Sequence, residues 1–243
     1  MSYQKGLLDH IITDHLTGGT DSEQFATAIS GAKTSGNYPK WNSDGNLTDG
    51  DAGGGGGSGN LFGWRTLTAP PSSGWTALNS ASVSTFDNSR IISAPASASN
   101  NIRAEVRTLS GDFTVDAGFS MIHASTNFAG CGLILRESGT GKIVIYQLRQ
   151  DGTAAAEKWT NFSTFSAAYT PSRVIFKTNP SGFKMTFGPT NRVIEYTNGS
   201  HRVTFHSVAK HDFATTAFDQ WGYFANTSNS QPVDAELFHM EIS

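Results

Sequence analysis

From residue 62 onward the chain consists of short runs in which apolar and polar residues alternate, recurring about every ten positions and closed by turn residues. This pattern points to antiparallel β-structure, because a period of two gives each face of a strand its own set of side chains. Nine strands are expected, over residues 113–122, 132–137, 142–149, 173–177, 183–187, 192–196, 202–208, 222–226 and 236–242. Tight-turn signals fall between them: Ser138-Gly139-Thr140-Gly141, Asp151-Gly152, Pro180-Ser181-Gly182 and Asn198-Gly199. Within 142–149 both faces are legible. Ile143, Ile145, Gln147 and Arg149 share one, and Val144, Tyr146 and Leu148 the other. In the last run, Phe238, Met240 and Ile242 are expected to point inward. Many short strands at this spacing mean a sandwich or a barrel.

The first sixty residues follow other rules. Leu7, Leu8, Ile11, Ile12 and Leu16 recur at three- and four-residue intervals, predicting a helix over 4–16 with one apolar stripe that Gly18-Gly19 ends. A second short helix is expected from Asp21 or Ser22 to Gly31. Two helices this short bury their stripes poorly against each other, so the stripe calls for a partner: a second copy, a larger particle, or the chain's own β domain. Residues 51–60, with glycine at every position from 53 to 57, read as a flexible linker. The expected organisation is therefore an attachment and oligomerisation segment at 1–50, a linker at 51–60 and a β-sandwich binding domain at 61–243.

Composition narrows the function. Charged residues make up 15% of the chain, below the roughly 25% of an average soluble domain, so Ser, Thr, Asn and Gly must supply much of the polar surface. Residues 1–60 hold three basic and seven acidic residues, and the remainder is nearly balanced. Neither part has the basic stripe that nucleic-acid binding needs. Nothing approaches the roughly 18 apolar residues of a membrane helix, and the N-terminus lacks the apolar stretch of a signal peptide. The one cysteine, Cys131, lies in an apolar run and is expected to be a buried hydrophobe.

Residues 36–50 contain Pro39-Lys40-Trp41 followed by Asp44-Gly45-Asn46-Leu47 and an acidic turn. This stretch resembles one found in phage tail-fibre and virion-appendage proteins. Read physically, Asp44-Gly45 is a turn, and Trp41 and Leu47 are placed to pack against a neighbour. Farther on, Gly132-Leu133-Ile134-Leu135-Arg136, Ile145-Tyr146-Gln147-Leu148 and Trp221-Gly222-Tyr223-Phe224 resemble the concanavalin A-like lectin and glucanase superfamily. That likeness implies an all-β, jelly-roll antiparallel sandwich, preceded here by a short helical or irregular anchor.

Glucanases of that superfamily carry an acidic run of Glu-x-Asp-x-x-Glu type, and no such run occurs here. Glu137, Glu157, Glu195, Glu236 and Glu241 are scattered, whereas glycoside hydrolysis needs two carboxylates roughly 5–10 Å apart. His201, His206, His211 and His239 show neither HxH nor HExxH spacing. Loop carboxylates such as Asp212 or Asp219 leave a calcium site open, but no Asp-x-Asp-x-Asp pattern argues for one. No metal, no cofactor and no catalysis are therefore expected. Recognition remains. Sugars are held by aromatic faces together with amides and arginines, and Trp159, Tyr146, Arg136, Gln147, Arg149, Asn161 and Tyr223 are the candidate glycan contacts. Leu7, Leu8, Ile11, Ile12, Leu16 and Trp41 are the candidate anchoring residues.

The sequence thus leads to a phage virion protein, a fibre or decoration protein, made in the host cytoplasm without a signal peptide. It would hold other virion proteins through residues 1–50 and host cell-surface glycans through its sandwich. It would assemble with copies of itself, as trimers if a fibre, without nucleic acid or membrane insertion. A purely structural capsid decoration protein and a glycoside hydrolase of the same fold are the alternatives.

Overall fold

Alternation along 142–149 holds in the structure: Val144, Tyr146 and Leu148 enter one apolar cluster, while Ile143 and Ile145 enter another on the opposite face. The structure is a computed structural model, and it describes residues 39–41, 47–49, 67–123, 128–169, 173–174, 181–197, 202–227 and 232–243. The chain divides into two compact units, Met1–Ser58 and Gly59–Ser243. In the first unit the described residues form one antiparallel pair, β1 (Pro39–Trp41) with β2 (Leu47–Asp49), in which Trp41 faces Leu47. These two strands flank the turn expected at Asp44-Gly45. The helices expected over 4–16 and 21–31, with Leu7, Leu8, Ile11, Ile12 and Leu16, lie outside the described residues.

The second unit carries β3 (Thr76–Leu78), β4 (Ser82–Phe86), β5 (Ser89–Ala94), β6 (Asn101–Thr108), β7 (Phe113–His123), β8 (Gly130–Arg136), β9 (Ile143–Arg149) and β10 (Thr153–Trp159). After these come β11 (Phe165–Ala168), β12 (Arg173–Val174), β13 (Ser181–Phe187), β14 (Asn191–Thr197), β15 (Arg202–Ala209), β16 (Gln220–Thr227) and β17 (Val233–Ile242). They form two antiparallel sheets. One is ordered β11-β10-β9-β8-β16-β6-β3, with β12 also paired to β10; the other is ordered β15-β14-β13-β7-β17-β5-β4. The fold is therefore the expected all-β antiparallel sandwich. In both sheets a late strand takes a central place: β16 runs between β8 and β6, and β17 between β7 and β5.

Six strands lie outside the nine expected: β3, β4, β5, β6, β10 and β11. Most are rich in Ser, Asn or Ala, residues that fit a pleated surface weakly on their own. Thr153-Ala154-Ala155-Ala156-Glu157 is extended because β9 pairs with it on one side and β11 and β12 on the other. The last strand also needs correcting. A register shift between Leu237 and His239 reverses its parity, so Val233, Ala235 and Leu237 face inward before it and Met240 after it. Phe238 instead covers Gly118 on the outer face, and Ile242 is 39% exposed.

The inter-sheet core brings Cys131, Leu133 and Leu135 of β8 together with Tyr223 of β16, Phe183 and Phe187 of β13 and Leu237 of β17. Truncating a fully buried Phe183 or Phe187 to alanine costs about 3–5 kcal/mol. Burial also pushes the Cys131 thiol up to about 12, making it the inert hydrophobe expected.

Two arginines of the seven-stranded sheet enter this core. Arg192 directs its five N–H groups at the Tyr146 hydroxyl (2.6 Å), the Tyr169 hydroxyl (2.6 Å) and the carbonyls of Ala209, Lys210 and Asp212. Arg90 binds Glu105 through Nε and Nη2 (3.0 and 2.8 Å), and the Tyr223 hydroxyl donates to the same carboxylate. The cross-sheet bonds thus end on tyrosine hydroxyls and, for Arg90, also on the Glu105 carboxylate.

Candidate functional site

The outer face of the eight-stranded sheet is built in two zones. At one end Ile102, Ile134, Ile143, Ile145, Trp159 and Phe224 form a second buried apolar cluster under Leu78 and Phe162. Farther along the same strands the residues turn polar around a cavity of about 220 Å³. Gln147 and Arg149 of β9, Glu157 of β10 and Asn226 of β16 line it, with Asn100 just before β6. Between Arg149 and Asn226 the intervening strand offers Gly130, in register with both, so no side chain fills the middle of the floor. A Cβ at Gly130 would collide with the Leu148 carbonyl and the Gln147 amide. The wall is aromatic: Trp159, with Phe128 and Phe165 at the rim, 53% and 48% exposed.

The polar groups are ordered by one another. Glu157 accepts hydrogen bonds from Arg149 Nη2 and from the Trp159 indole N–H (3.1 Å). Gln147 donates its amide to the Phe128 carbonyl (2.7 Å), and Asn226 Oδ1 accepts from the Asn101 backbone N–H (3.1 Å). The Phe128 ring lies 5.2 Å from the Arg149 guanidinium, and Phe165 meets Trp159 edge-on at 5.6 Å. Some polar capacity is left over. Asn100 Oδ1 is buried without a partner. Among the described residues neither Gln147 Oε1 nor Asn226 Nδ2 takes part in a hydrogen bond.

The structure separates the seven glycan-contact candidates. Gln147, Arg149 and Trp159 converge on the cavity. Trp159 is only 1% exposed and its N–H is engaged by Glu157, so it contributes wall, and the accessible rings belong to Phe128 and Phe165. Arg136 is bound to Gln220 (2.6 Å) and stacks on Phe162, away from the cavity lining. Asn161 accepts the backbone N–H groups of Ser163 and Thr164, closing a turn. Tyr146 and Tyr223, expected on the outward side, face the inter-sheet core at 0% exposure. The alternation already placed Tyr146 opposite Gln147 and Arg149, so those three side chains cannot share a face.

Sequence reasoning missed Asn100, Phe128, Glu157, Phe165 and Asn226 as cavity residues. Glu157 was detectable by parity, two positions from Trp159 on the same face. The others sit at strand ends and connections, where only the tertiary fold brings them together.

Three carboxylates outside the cavity lining are held by neighbouring groups. Glu137 accepts from the Thr140 hydroxyl (2.5 Å) and the Thr215 and Thr216 N–H groups (2.9 and 2.7 Å), and these bonds hold its carboxyl down at about 2. Asp212 pairs with Lys158 at 3.2 Å, and Asp219 accepts the Ser138 N–H at 2.8 Å. Among the described residues no group of three His, Cys, Asp or Glu side chains is gathered to hold a metal ion.

Two antiparallel sheets in this order form a jelly-roll sandwich of the concanavalin A-like fold, with a depression of about 220 Å³ on one outer face. By sequence the chain matches no family model and no curated protein. By structure it is similar to a legume lectin-like domain from Entamoeba histolytica, at 9% identity and a TM-score of 0.50, covering 70% of this chain and 89% of that one. It is also similar to Bacteroides ovatus Xyloglucan PUL GH43B (13% identity, TM-score 0.55) and to a mutant of the GH43 protein BlXynB from Bacillus licheniformis (13%, 0.53). Those two matches cover 84% and 85% of this chain, which spans 46% of each of the larger proteins.

Proposed function

We propose that this chain is a glycan-binding module without catalytic activity, carried on a virion by residues 1–50. The observation that carries the binding reading is the outer-face cavity. It offers unspent amide groups beneath two half-exposed phenylalanine rings, the combination that suits hydroxyls on the edge of a sugar and C–H groups on its face. The names of the similar structures, lectin-like and glycoside hydrolase, agree with a carbohydrate ligand. Glu157 supports a non-catalytic role. It is the only carboxylate in the described lining, and Arg149 and Trp159 already hold it, whereas hydrolysis needs an opposed pair.

Virion attachment rests on the apolar stripe of Leu7, Leu8, Ile11, Ile12 and Leu16 and on the fibre-like stretch containing Trp41. The partners in this reading are other virion proteins and host-surface glycans, with self-assembly as trimers in a fibre. The protein would be made in the host cytoplasm and end up in the particle.

Glycan-array binding by the full chain tests the first part. Phe165→Ala should weaken the best ligand about tenfold, the loss of one stacking ring, while stability falls by about 1 kcal/mol through the lost ring contact with Trp159. Unchanged affinity in both Phe165→Ala and Phe128→Ala would remove the cavity from the proposal. New reducing ends released from glycan polymers would overturn the absence of catalysis. For the anchor, Ile12→Asp should abolish co-sedimentation with particles.

A further inference from the structure

The described lining of the cavity contains one cation and one anion, and they are paired with each other. Arg149 and Glu157 form an ion pair with side chains 11% and 5% exposed, and Glu157 is further engaged by the Trp159 indole. An anionic ligand would meet a guanidinium whose charge is already balanced beside a fixed carboxylate. A cationic ligand would find that carboxylate occupied. Beside the pair, the described lining keeps neutral capacity of both senses: acceptors at Asn100 Oδ1 and Gln147 Oε1, a donor at Asn226 Nδ2. A hydroxyl group donates and accepts at once, so a ring carrying adjacent hydroxyls satisfies such a set, whereas a carboxylate or sulfate only accepts. Burying an unpaired charge is costly, which turns this arrangement into discrimination.

Size adds a second limit. At about 220 Å³ the cavity falls below the roughly 300–1,000 Å³ of sites that enclose a drug-sized ligand, so it suits a single ring. Resting on the glycan reading above, we infer that the site takes one uncharged sugar ring and rejects uronic and sulfated sugars, with Glu157 acting as a specificity-determining residue that masks Arg149.

The test uses the full chain and pairs of methyl glycosides of equal stereochemistry: glucoside with glucuronide, galactoside with galacturonide, mannoside with mannuronide. Affinity is read by titration calorimetry or ligand-observed NMR. In the pair that binds, the neutral member should bind at least about tenfold tighter. Equal or tighter binding of the uronide overturns the inference and leaves the glycan reading standing. Binding of no neutral or acidic glycan by folded protein overturns both. Glu157→Gln keeps an acceptor for the indole while removing the carboxylate that balances Arg149, so the neutral-to-acidic ratio should fall at least about fivefold and become salt-dependent. A folded Glu157→Gln protein with an unchanged ratio removes Glu157 from the proposal. If that variant fails to fold, the wild-type pairs still decide the selectivity.

Discussion

The two faces of the eight-stranded sheet hold nearly the same chemistry and use it differently. Inside, Arg90, Glu105 and Tyr223 form a triad of arginine, carboxylate and aromatic donor; outside, Arg149, Glu157 and Trp159 form another. The inner triad is sealed between two sheets. The outer one stands beside a cavity whose amides still have capacity to spare. Residue type therefore does not mark a binding group here. What marks it is whether the neighbours have already used up its hydrogen-bonding capacity.

Glu105→Ala should break that contrast most severely. Removing one partner of a buried ion pair leaves Arg90 uncompensated and costs about 3–5 kcal/mol, seen as a lower urea midpoint. Glycan affinity of the folded fraction should not change. A normal midpoint with lost affinity would reverse the roles assigned to the two faces. Tyr146→Phe is the next largest change. It deprives Arg192 Nε of its acceptor inside the core and should cost about 1–3 kcal/mol, again without an effect on binding.

Acid sharpens the comparison by addressing a carboxylate that belongs to neither triad. The carboxyl of Glu137 is held down at about 2 by its hydrogen bonds, so it binds its proton less readily folded than unfolded. Its contribution is complete above the ordinary carboxylate range and disappears as pH falls from about 4.5 toward about 2. Thermal midpoints should drop across that window, and Glu137→Gln should flatten the drop. The smallest effect is expected at Asn161, whose side chain only closes a turn. Asn161→Ala should cost about 1 kcal/mol or less and leave glycan titration curves unchanged.

Much of the fold was legible because period-two alternation is local. Along Ile143–Arg149 it assigned all seven side chains to the faces where they lie. It failed where tertiary pairing overrides composition, as in the alanine run of β10, and where a bulge resets parity, as at Leu237 and His239 in β17. The site was legible in part. Gln147, Arg149 and Trp159 follow from chemistry and parity, but Phe128, Asn100 and Asn226 arrive from strand ends far apart in sequence. Tyr146 and Tyr223 were misplaced because a phenol looks like a sugar contact until a buried arginine is known to need it.

The central positions of β16 and β17 constrain how the protein can be made. While the ribosome is still adding residues 220–242, strands β8 and β6 have no partner between them, and neither do β7 and β5. Both half-built sheets then present bare backbone edges, the surfaces by which nascent chains aggregate. Closure must wait until those residues emerge from the ribosome, and its long-range pairings make that step slow. A stop codon at residue 219 would remove the middle of two sheets at once and leave the sandwich unable to close.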